Sequence, residues 1–272
     1  MTTGSREVRA DSISFATAKV VQGSRAVPVE MPVEIVYGTI PYAVMMVTPE
    51  DIEDFVFGFS YTEGVTTSDR DIRSINVESH LKGLRALVDL VPERLSTHLA
   101  RQRAMVGRTG CGVCGIEDIN ALPSASERVP QGPDIAIEAI HRAVSELGSH
   151  QPLNDITRAV HAAAWCERSG KVTLVREDVG RHNALDKLIG AALRQKLDPR
   201  SGFILITSRC SYEMIEKTAA FGVATLIAIS APTSLAIERS EALGITLYAI
   251  ARADGATHFT GQMPDLVLEK CA

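Results

Sequence analysis

The sequence lacks any apolar run near the roughly 18 residues that a membrane-spanning helix needs, which excludes helical spans. Its first 15 residues carry Arg6, Glu7, Arg9 and Asp11 with no apolar stretch, so neither a secretory leader nor a membrane anchor is expected there. Long basic runs are missing too, and the net charge is -5. That excludes a general nucleic-acid binder, whose affinity comes from many Lys and Arg contacts to phosphate. Cysteines are few: five in all, with Cys166, Cys210 and Cys271 scattered. An odd, dispersed set in a chain this long does not make a disulfide framework, and a cytoplasmic protein with reduced thiols is expected.

What is present is apolar material, 45% of 272 residues, enough for one large domain or two modest ones. Residues 1–27 are polar and mixed, and read as a loose arm or an edge strand. From Pro28 the pattern sharpens. Residues 29–37 and 40–47 read as strands joined by a tight turn at Gly38 and Thr39. "TPED" then offers Thr48 as N-cap, Pro49 at the first helical position and Asp51 as the N3 acid, with Ile52, Phe55, Val56 and Phe59 on one helical face as far as Gly64. Strands at 72–77 and 84–91 and a helix-like stretch at 92–105 complete a smaller α+β domain, residues 28–120, that ends in a glycine-rich loop. Residues 121–134, with three prolines and two serines, read as a linker. In 135–272, helical patterns at 135–147 and 156–167 precede "KVTLVRE", "FILITS", "ATLIAIS" and "TLYAIA", with helices between the later strands. Runs this apolar imply an α/β domain whose sheet is mostly parallel and covered on both faces.

The glycine-rich loop, "MVGRTGCGVCG", holds Cys111 and Cys114. Three chemistries fit such a pair. Half of a zinc site needs a second pair or a His-x3-His, and the chain has neither, so zinc would have to come through dimerisation. A thioredoxin-type dithiol sits at a helix start, which Gly112 and Gly115 disfavour. A persulfide carrier needs a loop that can visit a donor and an acceptor, and glycines on every side of the thiols supply that freedom. Between Glu93 and Glu117 no acid occurs, while Arg94, Arg101, Arg103 and Arg108 favour thiolate and attract phosphate; a merely solvated basic face is the plain alternative.

The other polar clusters sit where strands end. "REDVGRHNALDKLIG" places Glu177, Asp178, Arg181, His182 and Asn183 between a strand and a helix, the position at which α/β sheets hold ligands. Asn183 is a fitting N-cap, and Asp178, Arg181 and His182 suit either a ligand site or an internal ion-pair network. "ITSRCSYE", with Ser208 and Arg209, and "ISAPTS" repeat the design, and together would form a phosphate-friendly rim; routine capping by Ser211 and Ser234 explains part of it equally well. His161, among alanines, reads as a core histidine in a helix, and Cys210 as a small apolar filler.

With these motifs assembled, "GRTGCGVCG", "EDVGRHNALDKLIG", "SRCSYE" and "SAPTSLA", in that order, the chain resembles the formate dehydrogenase accessory sulfurtransferases, the FdhD family, over about 29–261. The resemblance implies a sulfur carrier that accepts sulfane sulfur from a cysteine desulfurase and passes it to the molybdenum cofactor, bis-molybdopterin guanine dinucleotide, needed by the formate dehydrogenase catalytic subunit. It implies a homodimer, and a larger domain with the layering of the cytidine deaminases. Deamination itself is not implied, since no His-x-Glu or Pro-Cys-x-x-Cys occurs. By position Cys111 matches the persulfide carrier and Cys114 its companion. Cofactor contacts fall on the last strand, "IARADG", which is Ile250, Ala251, Arg252, Ala253, Asp254 and Gly255. With them go Arg108 and the strand-end residues Asp178, Arg181, His182, Ser208 and Arg209, and a guanine nucleotide is expected to mimic the cofactor. A cofactor-binding chaperone without transfer chemistry and a dithiol reductase are the alternatives.

Overall fold

The computed structural model describes residues 4–103 and 127–263. The chain opens with an antiparallel ribbon, β1 (Ser5–Ile13) and β2 (Val20–Pro28), where sequence left open a loose arm or an edge strand. A smaller unit follows, with strands β3 (Met31–Tyr37), β4 (Ile40–Val47), β5 (Ile72–His80) and β6 (Gly83–Leu90) in the order β4-β3-β6-β5. Helix α1 (Ile52–Thr62) lies against this sheet, and its Phe55, Val56 and Phe59 close a core with Val33, Ile35, Tyr37, Val88 and Leu90. Helix α2 (Pro92–Arg103) follows, with Leu95 packed against that core.

The larger unit contains α3 (Ile137–Leu147), α4 (Pro152–Thr157), β7 (His161–Glu167), β8 (Val172–Asp178), α5 (Arg181–Arg194), β9 (Gly202–Ile206), α6 (Tyr212–Phe221), β10 (Thr225–Ala228), α7 (Ser234–Leu243), β11 (Thr246–Arg252) and β12 (Gly255–Thr260). Its sheet runs β12-β11-β10-β9-β7-β8. The period of two sorts its side chains cleanly. Ala163, Trp165, Ile204, Ile206, Leu226 and Leu247 pack under α5, α6 and α7, whereas Ala164, Cys166, Phe203, Leu205, Ile227 and Tyr248 pack under α3. Helices therefore cover both faces.

The sheet is not mostly parallel. Only β9/β10 and β10/β11 are parallel, while β7 runs against both β8 and β9, and β12 against β11. The expected helix at 156–167 is also corrected: α4 stops at Thr157 and His161–Glu167 is a strand. Its alanines are paired on both sides, so burial between two strands overrides the helix preference of alanine.

The two units are fused rather than merely linked. Gly58 of α1 and Gly190 of α5 meet at the helix crossing: a Cβ on Gly58 would stand 1.8 Å from the Asp186 carbonyl oxygen, and one on Gly190 1.8 Å from that of Asp54. Charge closes the seam on either side. Asp54 is held by Arg176 (2.7 Å) and Arg194 (2.5 Å), and Asp186 by Lys217 (2.9 Å) and the Thr62 hydroxyl (2.8 Å). Burial pushes the Asp186 carboxyl up, and Lys217 opposes it. Thr48, expected as the cap of α1, is spent on this seam instead. Its N–H donates to Asp178 Oδ2 (2.9 Å), its hydroxyl accepts from the Val179 N–H (3.1 Å) and its carbonyl accepts from Lys187 Nζ (2.9 Å). The helix accordingly begins later, after Asp51, whose φ is +53°.

Candidate functional site

The strand directions decide which residues meet. Parallel β9, β10 and β11 end at one rim, antiparallel β7 starts there, and β8 ends there with Asp178 paired to His161. At about 4.8 Å between neighbours, the rim from β8 to β11 is about 19 Å long. It also receives the N-termini of α5, α6 and α7.

At the β8 end, Asp178 is wholly buried. It pairs with the equally buried Lys187 (2.8 Å) and accepts from the N–H groups of Thr48 (2.9 Å) and Gly180 (2.8 Å) and from Asn183 Nδ2 (3.0 Å). Every acceptor position is consumed. Asp178 therefore belongs to the internal network, and what it does for the rim is hold the turn that presents Arg181 and His182. Asn183, expected as an N-cap, is inside α5 and donates to the Met46 carbonyl (2.7 Å); Gly180 takes the cap position. Glu177 is likewise structural, its carboxylate receiving the Leu153 and Asn154 N–H groups at the start of α4 (2.9 and 2.8 Å).

Arg181 and His182 behave differently. Arg181 Nε and His182 Nε2 are buried polar atoms with no hydrogen-bond partner among the described residues. Native structures seldom leave such groups orphaned, and an anionic ligand would complete them. His182 Nε2 stands 3.8 Å from Glu213 Oε2, and the Ser211 hydroxyl donates to that same oxygen (2.7 Å). His182 and Ser211 hold the Glu213 carboxyl well below the usual range, to about 2, against the opposing effect of burial. His161, expected in the core of a helix, is instead half-buried on the rim. Burial and the nearby Arg181 lower its pKa, with Asp178 opposing.

In the middle of the rim, Ser208 is buried with its hydroxyl donating to the Arg209 carbonyl (3.1 Å), while Arg209 itself projects into solvent. At the β11 end Ile250 is exposed at a register shift, with φ +53°. A β-branched residue in that region is strained, and such strain collects at binding sites. Ala251 is buried, and Arg252 is exposed with its guanidinium donating to the Ile229 and Ala251 carbonyls. Ala253, Asp254 and Gly255 form the exposed turn into β12. The strand-end candidates thus share one rim, and Arg108, Cys111 and Cys114 lie outside the described residues. Sequence reasoning missed Glu213, second in α6 and visible only as the last letter of "SRCSYE".

The described thiols are unsuited to transfer chemistry. Cys166 and Cys210 are fully buried, and burial pushes both up, Cys210 to about 12. Among the described residues no helix is long and apolar enough to cross a membrane.

Comparison with known proteins gives consistent matches. The model of the FdhD/NarQ family matches residues 28–264. A "Sulfur carrier protein FdhD" of Xanthomonas euvesicatoria pv. vesicatoria is 46% identical over 254 residues, 91% of this chain and 90% of that one. Its counterpart in Bordetella petrii is 44% identical over 233 residues, 84% of this chain and 83% of that one. A crystal structure described as a formate dehydrogenase accessory protein, from Desulfotalea psychrophila, superposes with a TM-score of 0.74 at 22% identity, covering 95% of this chain and 97% of that one, and so shares the fold.

Proposed function

Since the chain belongs to the FdhD/NarQ family, we propose that it is a cytoplasmic sulfur carrier that takes sulfane sulfur from a cysteine desulfurase and delivers it to bis-molybdopterin guanine dinucleotide on behalf of formate dehydrogenase. It works as a homodimer, and its larger unit has the layering of the cytidine deaminases. The observation that carries this reading is a rim whose Arg181 Nε and His182 Nε2 lack partners among the described residues, in a chain whose sequence also holds the glycine-flanked Cys111 and Cys114.

The chemistry follows from the thiols. The Cys111 thiolate attacks the terminal sulfur of the donor's persulfide; a new S–S bond forms at Cys111 as the old one breaks, and the donor's thiolate leaves. Cys114 can then attack Cys111. Its thiolate attacks the inner sulfur of the Cys111 persulfide; the Cys111–Cys114 bond forms as the bond to the outer sulfur breaks, and that sulfane sulfur takes the electron pair and leaves as sulfide for the molybdenum. Along the rim, Arg181, His182, Arg209 and Arg252 face the negative charge of the pyrophosphates, which helix N-termini also favour. The rim length of about 19 Å suits an extended dinucleotide better than a compact substrate. Asp178 is a positioning residue, because its carboxylate has no free face.

The test is the mass of the purified protein after incubation with a desulfurase and cysteine. One extra sulfur, about 32 Da and removable by reductant, is expected on the native chain and absent from Cys111→Ala. Cys111→Ala should still bind a guanine nucleotide as cofactor mimic. Sulfuration of the cofactor by Cys111→Ala at the native rate would overturn the carrier reading in favour of a binding chaperone. Reversible Cys111–Cys114 disulfide turnover with no bound sulfur would favour a dithiol reductase.

A further inference from the structure

The ribbon β1/β2 rests on the body at its base, where β2 meets α4 and the Gly4 N–H donates to Glu50, and its tip projects into solvent. Among the described residues no third strand joins it, most of its residues are exposed, and Ile13, Phe15, Val20 and Val21 near its tip are 59–102% exposed. An isolated two-stranded ribbon is marginal in water, and an open strand edge invites another strand. The family match begins at residue 28, the last residue of β2.

Its hydrogen bonds reveal which groups face outward. The Val29 N–H donates to the Gly4 carbonyl (2.7 Å) and the Ser14 N–H to the Lys19 carbonyl (2.9 Å). Both contacts use even-numbered positions of the first strand, in a ladder that pairs Val8 with Arg25 and Ala10 with Gly23. Antiparallel ladders alternate, so the even positions bond inward and Glu7, Arg9, Asp11 and Ile13 turn their backbone groups to the outer edge. Of these, Glu7, Arg9 and Asp11 alternate in charge. Paired antiparallel with a copy of itself about Ala10, the edge sets Arg9 against the partner's Asp11, and Asp11 against the partner's Arg9. Centring on Arg9 would instead oppose Arg9 to itself and Glu7 to the partner's Asp11, like against like.

We propose that the outer edge of β1 is the homodimer interface, two ribbons joining across a two-fold axis into one four-stranded sheet centred on Ala10. The inference rests on the homodimer reading above and names its surface. A two-fold axis requires a self-complementary edge, and the Arg9/Asp11 alternation supplies one.

Sedimentation equilibrium of the full chain tests it. The native protein should be a dimer. Asp11→Arg places arginine against arginine twice and should weaken the dimer about tenfold, while the exchanged pair Arg9→Asp with Asp11→Arg should restore it. Arg9→Pro deletes an outward N–H without touching the ribbon's own ladder, and should also weaken the dimer. Far-UV circular dichroism of each variant reports whether it folds. A native dimer indifferent to Asp11→Arg and Arg9→Pro overturns this interface while leaving the homodimer intact. A monomeric native chain overturns both, including the case in which the ribbon captures a different protein.

Discussion

The residues that look most chemical in this sequence divide into two sorts once their partners are known. Asp178, Asn183 and Glu177 have their polar atoms filled by the protein itself, and so serve to build the rim. Arg181 and His182 keep unfilled atoms, and so can serve a ligand. Glu213 stands between the sorts, because His182 and Ser211 lower its pKa while His182 Nε2, 3.8 Å away, keeps no hydrogen-bond partner among the described residues. The pH dependence follows with a definite sign. A carboxyl depressed on folding contributes stability that is complete above its ordinary value of 4.5 and is lost as pH falls to about 2. Glutamine cannot titrate, so Glu213→Gln should melt below the native protein at neutral pH and converge with it near that lower limit. Thermal melts across the acid range measure this, and a gap that stays constant with pH would refute the assignment.

Single elements show how far sequence carries the fold. The hairpin of β3 and β4, helix α1 and strands β8 to β11 are legible because apolar period and turn residues agree there. The start of α1 was misplaced because Thr48 is claimed by Asp178 and Lys187, more than a hundred residues away. Strand β7 hid behind its alanines. The antiparallel pairings went unseen because 156–167 was read as a helix and β12 was not read as a strand; once both are strands, residues 168–171 and 253–254 are too short for a crossover and must be hairpin turns. The Cys pair was legible from spacing alone, whereas the His161–Glu213 side of the rim depended on β7 running antiparallel. Least legible was the α1/α5 crossing, for "FVFGFSY" and "LIGAALR" do not announce that their glycines touch. Gly58→Ala must push the helices apart and should cost about 3 kcal/mol or more. Gly148 has ordinary helical backbone, φ -57°, and open space at its Cβ, so Gly148→Ala should be neutral or slightly stabilising. Urea titration of the pair separates close packing from generic glycine loss; equal costs would remove the crossing argument.

At the scale of the whole molecule the question is whether the two units unfold together. Each has a core of its own, yet the seam between them is buried, glycine-tight and charged. Lys187 is fully buried, reaching from α5 to the Thr48 carbonyl while neutralising Asp178. Burying such a pair brings little net stability, but removing one partner leaves an uncompensated charge and typically costs about 3–5 kcal/mol. That cost would fall on the seam, which is what couples the cores. Trp165, the sole tryptophan, is buried in the larger unit against Phe221, so its fluorescence follows that unit, whereas far-UV circular dichroism follows both. In the native protein the two signals should melt as one transition. In Lys187→Met the smaller unit should lose order first, splitting the dichroism from the fluorescence, and Asp178→Asn added to it should bring them partly back together by removing the stranded charge. Separate transitions in the native protein would mean that the seam is a contact between independent domains, and that the rim is not held by the smaller unit at all.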